Sequence, residues 1–196
     1  MSGDSEIAAR YRRRADVFQR KIEAVRPDQW SNQSPCEAWQ ARDVVGHIVF
    51  MHGVMLRPVG RELNPAPPVE DDPLGAFLAA RADVEAILAD PEVSAREIDW
   101  YTGRLRMEQI VDQVVSMDMV LHGWDLSRAT GQDDTMDPAE LERGYEFLDD
   151  MDASMLRVPG ILGPEVPVPA DAPLQDRVLG FLGRDPAWKA PAGSRA

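Results

Sequence analysis

Apolar residues Ile7, Tyr11, Phe18, Ile22 and Val25 recur at three- and four-residue steps. That is the period of a helix burying one face, so residues 5–26 are predicted to form an amphipathic helix ended by Pro27. Residues 28–40 lose the period. Trp30, Pro35, Cys36 and Trp39 stand there among Ser, Asn and Gln, a composition that suits an ordered loop with aromatic anchors. Val44, Val45, Ile48, Val49 and Met55 then form a broad apolar stripe, predicting a second helix from Ala41 or Arg42 to Arg57, stopped by Pro58. Gly60, Pro65, Pro67 and Pro68, with Glu70, Asp71 and Asp72, make residues 58–73 too long and irregular for a tight turn, so the chain is expected to cross the bundle there.

Asp72-Pro73 has the form of an N-cap followed by proline at the first helical position, and Leu74, Phe77, Leu78, Val84, Ile87 and Leu88 keep helical spacing up to Pro91. Residues 97–105 alternate weakly around Gly103, which fits a short extended stretch or an irregular lead-in. Ile110, Val111, Val114, Val115, Met119, Leu121 and Leu126 carry a long fourth helix over residues 107–130, with Gly131 as its C-terminal cap. Asp137-Pro138 opens a fifth helix running through Leu141, Tyr145, Leu148 and Met155. A loop rich in Pro and Gly over residues 159–173 leads to a short sixth helix at 174–182. Four long helices with a crossover and no firm strand predict an all-α fold, a four-helix bundle with a long crossover and extra short C-terminal helices. One domain is expected over residues 1–186 and a flexible tail over 187–196.

Composition and charge narrow the partners. The chain of 196 residues is 44% hydrophobic and 28% charged, enough apolar side chain for a core. Lys and Arg number 21 against 34 Asp and Glu, a formal net charge of −13. Phosphate backbones and anionic lipid surfaces are therefore repelled at long range, which argues against nucleic acid and membrane as partners and leaves a small molecule. No run approaches the roughly 18 apolar residues of a membrane span, and the opening residues lack the apolar core of a signal peptide. Cys36 is the only cysteine, so an intrachain disulfide and a multi-cysteine zinc site are ruled out, in keeping with a reducing compartment. The expected setting is the cytoplasm, for a monomer or a homodimer.

The candidate chemistry centres on three histidines, His47, His52 and His122. Asp118 precedes His122 by four residues, which at ~100° per residue puts the two side chains about 40° apart on one helix face. Asp125 returns to within about 20° of Asp118. Val111, Val114 and Leu121 flank the same direction, so the patch is expected to point into the bundle, where a carboxylate is costly unless paired or metal-bound. Asp118 and His122 have the spacing of a ligand pair, and His47, between Val44 and Ile48, is the candidate third ligand on a facing helix. Asp43, one turn before His47, is the candidate acceptor for its other imidazole N–H. Two His and one carboxylate leave coordination positions open, as in a catalytic site.

On spacing alone the same residues also suit a hydrogen-bonded core histidine beside a buried ion pair. His52 lies about 140° around the helix from His47 and is expected at the surface or rim. Cys36 is either a reactive thiol or a small buried apolar residue. Trp30 and Trp39 read as loop anchors, and Trp124 and Tyr101 as pocket lining or as packing. Asp125 and Asp43 are the candidate proton acceptors, and Arg104, Arg106 and Arg128 the candidate holders of an anionic substrate.

The string WSNQSPCEAWQARDVVGHIV, residues 30–49, resembles the N-terminal metal-binding signature of the DinB-like superfamily, in the branch that includes mycothiol-dependent maleylpyruvate isomerase. DMVLHGWDLSRATGQ, residues 118–132, resembles that branch's second signature, and PVPADAPLQDRVLGFLGRDP, residues 167–186, resembles the ending of a subgroup within it. The resemblance runs from about Ile7 to Pro186. It implies a four-helix bundle carrying a divalent metal, usually zinc, with His47, Asp118 and His122 as ligands and a mycothiol-like thiol as possible cosubstrate. The isomerase has Glu where this chain has Asp118, a side chain one methylene shorter. Two functions follow as expectations. In the first, the chain is a metal-dependent enzyme that activates a thiol or water for transfer, isomerisation or hydrolysis, with Asp125 as catalytic residue. In the second, it is a noncatalytic binding protein whose metal is structural.

Overall fold

The computed structural model describes residues 5–149, 157 and 163–191. Helix α1 (Glu6–Glu23) starts at Ser5, whose hydroxyl accepts from the Ala8 N–H at 3.1 Å. Its apolar stripe is fully buried at Tyr11, Ala15 and Phe18. After the loop comes α2 (Ala41–Leu56), continued by a 3-10 turn at Arg57–Val59. Helix α3 (Pro73–Leu88) is capped as its sequence predicts, with Asp72 accepting from the Gly75 N–H at 2.8 Å. A single turn, α4 (Pro91–Ser94), escaped the sequence reading. The weak alternation that follows is a hairpin of β1 (Glu97–Trp100) and β2 (Gly103–Arg106), pairing Ile98 with Leu105.

The expected fourth helix is built in three pieces: α5 (Met107–Val111), a π-helical turn over Asp112–Ser116, and α6 (Met117–Thr130), ended by Gly131 in the left-handed conformation at φ 69°. Helix α7 (Pro138–Asp149) follows; residues 150–156, on which the expected run to Met155 falls, lie outside the described residues. Helix α8 (Leu174–Phe181) matches the predicted short C-terminal helix. A turn at Asp185–Trp188 begins the final stretch, and residues 192–196 of the expected tail lie outside the described residues.

Helix α1 packs on α3 and α6, and α2 on the same two. Arg10 meets Asp112, Arg14 meets Ser116 and Lys21 meets Ser127, so α1 and the fourth helix run parallel. The crossover returns along α2, bringing Leu63 beside Gly53 and then Val69 beside Gly46. Helix α3 therefore starts at the end where α2 starts, and Arg61 reaches Asp90 at the far end. The bundle is up, down, down, up, which is why a long crossover is needed between the second and third helices. No helix among the described residues is long and apolar enough to cross a membrane.

Two buried polar groups hold the bundle away from its candidate site. Arg14 is 4% exposed and binds Glu140, Asp112 and the Ser116 hydroxyl, tying α1 to α7 and to the π-helical turn. His52 is 0% exposed, contrary to its expected place at the surface. Helix α2 is enclosed by neighbours on more than one side, so the face turned away from His47 is interior as well. There the His52 Nδ1–H donates to the Ile48 carbonyl at 2.7 Å, which makes Nε2 the acceptor of the Tyr11 hydroxyl at 2.8 Å. Burial holds its pKa down at about 4.

Candidate metal centre

The loop before α2 is fixed to the end of α6. Gln29 and Asn32 donate from their side-chain amides to the Thr130 and Ala129 carbonyls at 2.7 and 2.9 Å, satisfying acceptors that the end of a helix leaves open. Inside the loop the Gln33 amide nitrogen is ringed at 3.0 Å by the carbonyls of Ser34, Cys36, Glu37 and Trp39. This holds Trp39 over two imidazoles, with ring centroids 4.8 Å from His47 and 5.5 Å from His122. The aromatic anchor expected from sequence is thus also a wall of the site.

His47 and Asp118 face each other across α2 and α6, with Nε2 to Oδ2 at 3.5 Å and side chains 23% and 27% exposed. His122, 5% exposed, sets its ring 4.6 Å from that of His47. Donor atoms of His47, Asp118 and His122 lie within 4.8 Å of one another. Two donors held at about 2.0–2.1 Å from one tetrahedral zinc are about 3.3 Å apart, close to the His47–Asp118 distance. Asp118 has no Lys or Arg ion pair within 4 Å among the described residues, and its nearest basic partner there is His47. The donor set and spacing fit a divalent cation.

Behind His122 lies a second polar layer. The Nδ1 of His122 is 2.8 Å from Asp125 Oδ2, and because a carboxylate only accepts, Nδ1 carries a proton in this bond. Asp125 is 0% exposed. Burial pushes its carboxyl up, but the His122 hydrogen bond and the Arg184 charge outweigh it and leave the group below the usual carboxylate range. Arg184 Nη2 is 3.1 Å from the same Oδ2 and 3.5 Å from Cys36 Sγ, and the Cys36 thiol donates to Oδ2 at 3.4 Å. Burial, reinforced by the Asp125 charge and only partly offset by Arg184, lifts the Cys36 thiol to about 12. Of the two expectations for Cys36, a raised thiol pKa favours the buried, hydrogen-bonded one over the reactive thiol.

Other expectations need correcting. Asp43 is exposed and accepts from the Gln40 backbone N–H at 2.8 Å; it caps the start of α2 and does not bond His47. Arg104 and Arg106 pair with Glu97 and Glu108 around the hairpin. Sixteen residues separate Arg106 from His122, about 24 Å along the helix. Arg128 pairs with Asp134 and covers Trp124. The arginine at the site is Arg184, which the sequence reading passed over. Its only signal was the Gly183-Arg184 step closing an apolar helix. Trp124 is packing, in a small core with Met136, Leu141, Val178 and Leu179, while Tyr101 is 65% exposed on the hairpin.

Residues 11–127 match the family model described as the mycothiol maleylpyruvate isomerase N-terminal domain. Two relatives from Mycobacterium tuberculosis, Uncharacterized protein Rv0738 of strain H37Rv and Uncharacterized protein MT0763 of strain CDC 1551, are each 30% identical over 184 residues, covering 89% of this chain and 95% of theirs. No solved structure matches significantly. With the matched segment containing all of α2, the π-helical turn and the His122–Asp125 pair, the chain belongs to the mycothiol maleylpyruvate isomerase N-terminal domain family.

Proposed function

We propose that the protein is a divalent-metal-dependent enzyme, with zinc held by His47, Asp118 and His122, that presents a thiol or water to an electrophilic small molecule. The observation that carries this reading is the convergence of those three donors from two helices, two of them half-exposed and one buried. A bound divalent ion supplies Lewis acidity there, lowering the pKa of a thiol or water that it holds. Exposure of His47 and Asp118 leaves a route for a small molecule from solvent, which a closed structural site would lack.

The protein's own groups divide the remaining work. Trp39 covers both imidazoles and keeps one side of the site dry. Asp125 holds the Nδ1 proton of His122 and so fixes the ring with Nε2 turned to the other donors. Its complete burial favours this orienting role over the proton transfer to substrate that the sequence also allowed. A mycothiol-like cosubstrate is the thiol that the family description favours. The test is to load chelator-stripped protein with cobalt and titrate it with a small thiol, following the visible spectrum. A saturable spectral change is expected. A cobalt spectrum indifferent to thiol and to added anions contradicts an open site.

A further inference from the structure

Asp125 is held through one oxygen only. Its Oδ2 receives His122 Nδ1–H, Arg184 Nη2–H and the weak Cys36 S–H donor, while Oδ1 is buried with no partner among the described residues. No hydrogen bond from the described residues reaches the far oxygen of the carboxylate. Arg184 is therefore the one strong donor, apart from His122 itself, that decides where Oδ2 sits.

Arg184 is delivered by a rigid hook. Helix α8 ends in a Schellman turn: Gly183 is left-handed at φ 78°, its N–H bonds the Gly180 carbonyl at 3.0 Å, and the Arg184 N–H bonds the Leu179 carbonyl at 2.8 Å. A Cβ on Gly183 would stand 3.0 Å from the Pro164 carbonyl, so the turn is also closely packed. Val178 and Leu179 bury against Trp124, the residue before Asp125. The hook's apolar face and its guanidinium thus land on adjacent residues of α6. Arg184 lies 57 residues beyond the end of the matched family segment at residue 127.

We propose that Arg184 is a positioning residue of the metal centre, acting through Asp125 to hold His122 in its ligating orientation, so that the C-terminal hook is a working part of the site. This rests on the metal reading above. The geometry to explain is a buried guanidinium 3.1 Å from the carboxylate oxygen that also binds a candidate ligand.

The experiment measures Zn²⁺ affinity of the chelator-stripped, full-length chain by competition with a chromophoric chelator, alongside the thermal midpoint without metal. The variants are Arg184→Gln, Arg184→Lys, Asp125→Asn and the double variant Asp125→Asn with Arg184→Gln. Arg184→Gln is expected to weaken Zn²⁺ binding about 10–100-fold, the usual size for loss of a group that orients a ligand. Arg184→Lys should recover part of that loss. Arg184→Gln should cost nothing further in the Asp125→Asn background, because its path to the metal is already cut. Unchanged affinity in Arg184→Gln with a lowered metal-free midpoint would make Arg184 a brace of the fold and overturn the proposal. So would an equal loss on adding Arg184→Gln to Asp125→Asn. A parent chain that binds no Zn²⁺ overturns both this proposal and the metal reading, whereas a binding parent with an indifferent Arg184→Gln overturns this proposal alone.

Discussion

His122 Nδ1 and Asp125 Oδ2 are 2.8 Å apart, and this bond leaves Nε2 as the ring nitrogen available to a metal. Three residues separate them on one helix, so a local spacing sets the tautomer of a group whose candidate role is played across the bundle. The other candidate carboxylate, Asp118, lies 3.5 Å from His47 Nε2.

The two carboxylates should therefore respond differently to loss of charge. Asp118→Asn keeps the size but removes the anionic donor and is expected to abolish tight binding of a divalent ion. Asp118→Glu, which has the side chain implied by the family resemblance, should retain it. Asp125→Asn should weaken binding about 10–100-fold without abolishing it. Chelator competition on the three variants checks the order, and intact binding in Asp118→Asn with none in Asp125→Asn would reverse the assignment.

His52 should make stability fall in mild acid. Its folded pKa of about 4 is below the usual 6.5, so between these values the unfolded chain binds more protons than the folded one. The stabilisation is fully present above about pH 6.5 and is lost as pH falls toward 4, amounting to about 3 kcal/mol. Denaturant melts of the parent and His52→Gln at pH 7 and pH 4.5 should show a steeper decline in the parent. Parallel declines would mean that His52 is not held neutral. His52→Ala should leave metal content unchanged while costing about 2–4 kcal/mol through the cavity and the lost Tyr11 and Ile48 bonds.

Much of this fold is legible in the chain, because apolar periodicity and caps such as Asp72-Pro73 act locally. The π-helical turn is not: Val111, Val114 and Val115 keep an ordinary-looking apolar spacing, and what distinguishes the turn is the tertiary pairing of Asp112 and Ser116 with Arg10 and Arg14. His52 was misplaced because a helical angle gives direction only relative to its own helix, and α2 has interior on more than one side. Asp43 was misassigned because the capping bond to Gln40 and a bond to His47 are equally consistent with its position in the first turn. Arg184 was invisible for another reason. Its partner Asp125 is 59 residues away, and tertiary packing of α8 on α7 and in the core around Trp124 brings them together.

Cys36 should be a slow nucleophile. With its thiol lifted to about 12, the thiolate fraction at pH 8 is at least about 100-fold below that of an ordinary cysteine. Alkylation of the folded protein by iodoacetamide is expected to be slower than that of the denatured chain by a comparable factor. Equal rates would mean that the Asp125 and burial effects do not operate in solution.

The Arg14 network predicts a large, site-independent loss of stability. Arg14→Met leaves Glu140 without its buried guanidinium and should cost about 3–5 kcal/mol. By contrast Arg26→Ala breaks an exposed pair with Asp28 and should change stability by less than about 1 kcal/mol. Urea melts compare the two, and similar small effects would show that the Arg14 cluster is solvated.

His47 and His122, 75 residues apart in the chain and 4.6 Å apart between ring centroids, are expected to hold one metal ion together. Elemental analysis of the purified parent, His47→Ala, His122→Ala and His52→Ala tests it most directly. The predicted result is about one divalent ion per chain in the parent and in His52→Ala, and near none in His47→Ala and His122→Ala. Equal metal content in all four proteins, or none in the parent after loading with zinc, would contradict it.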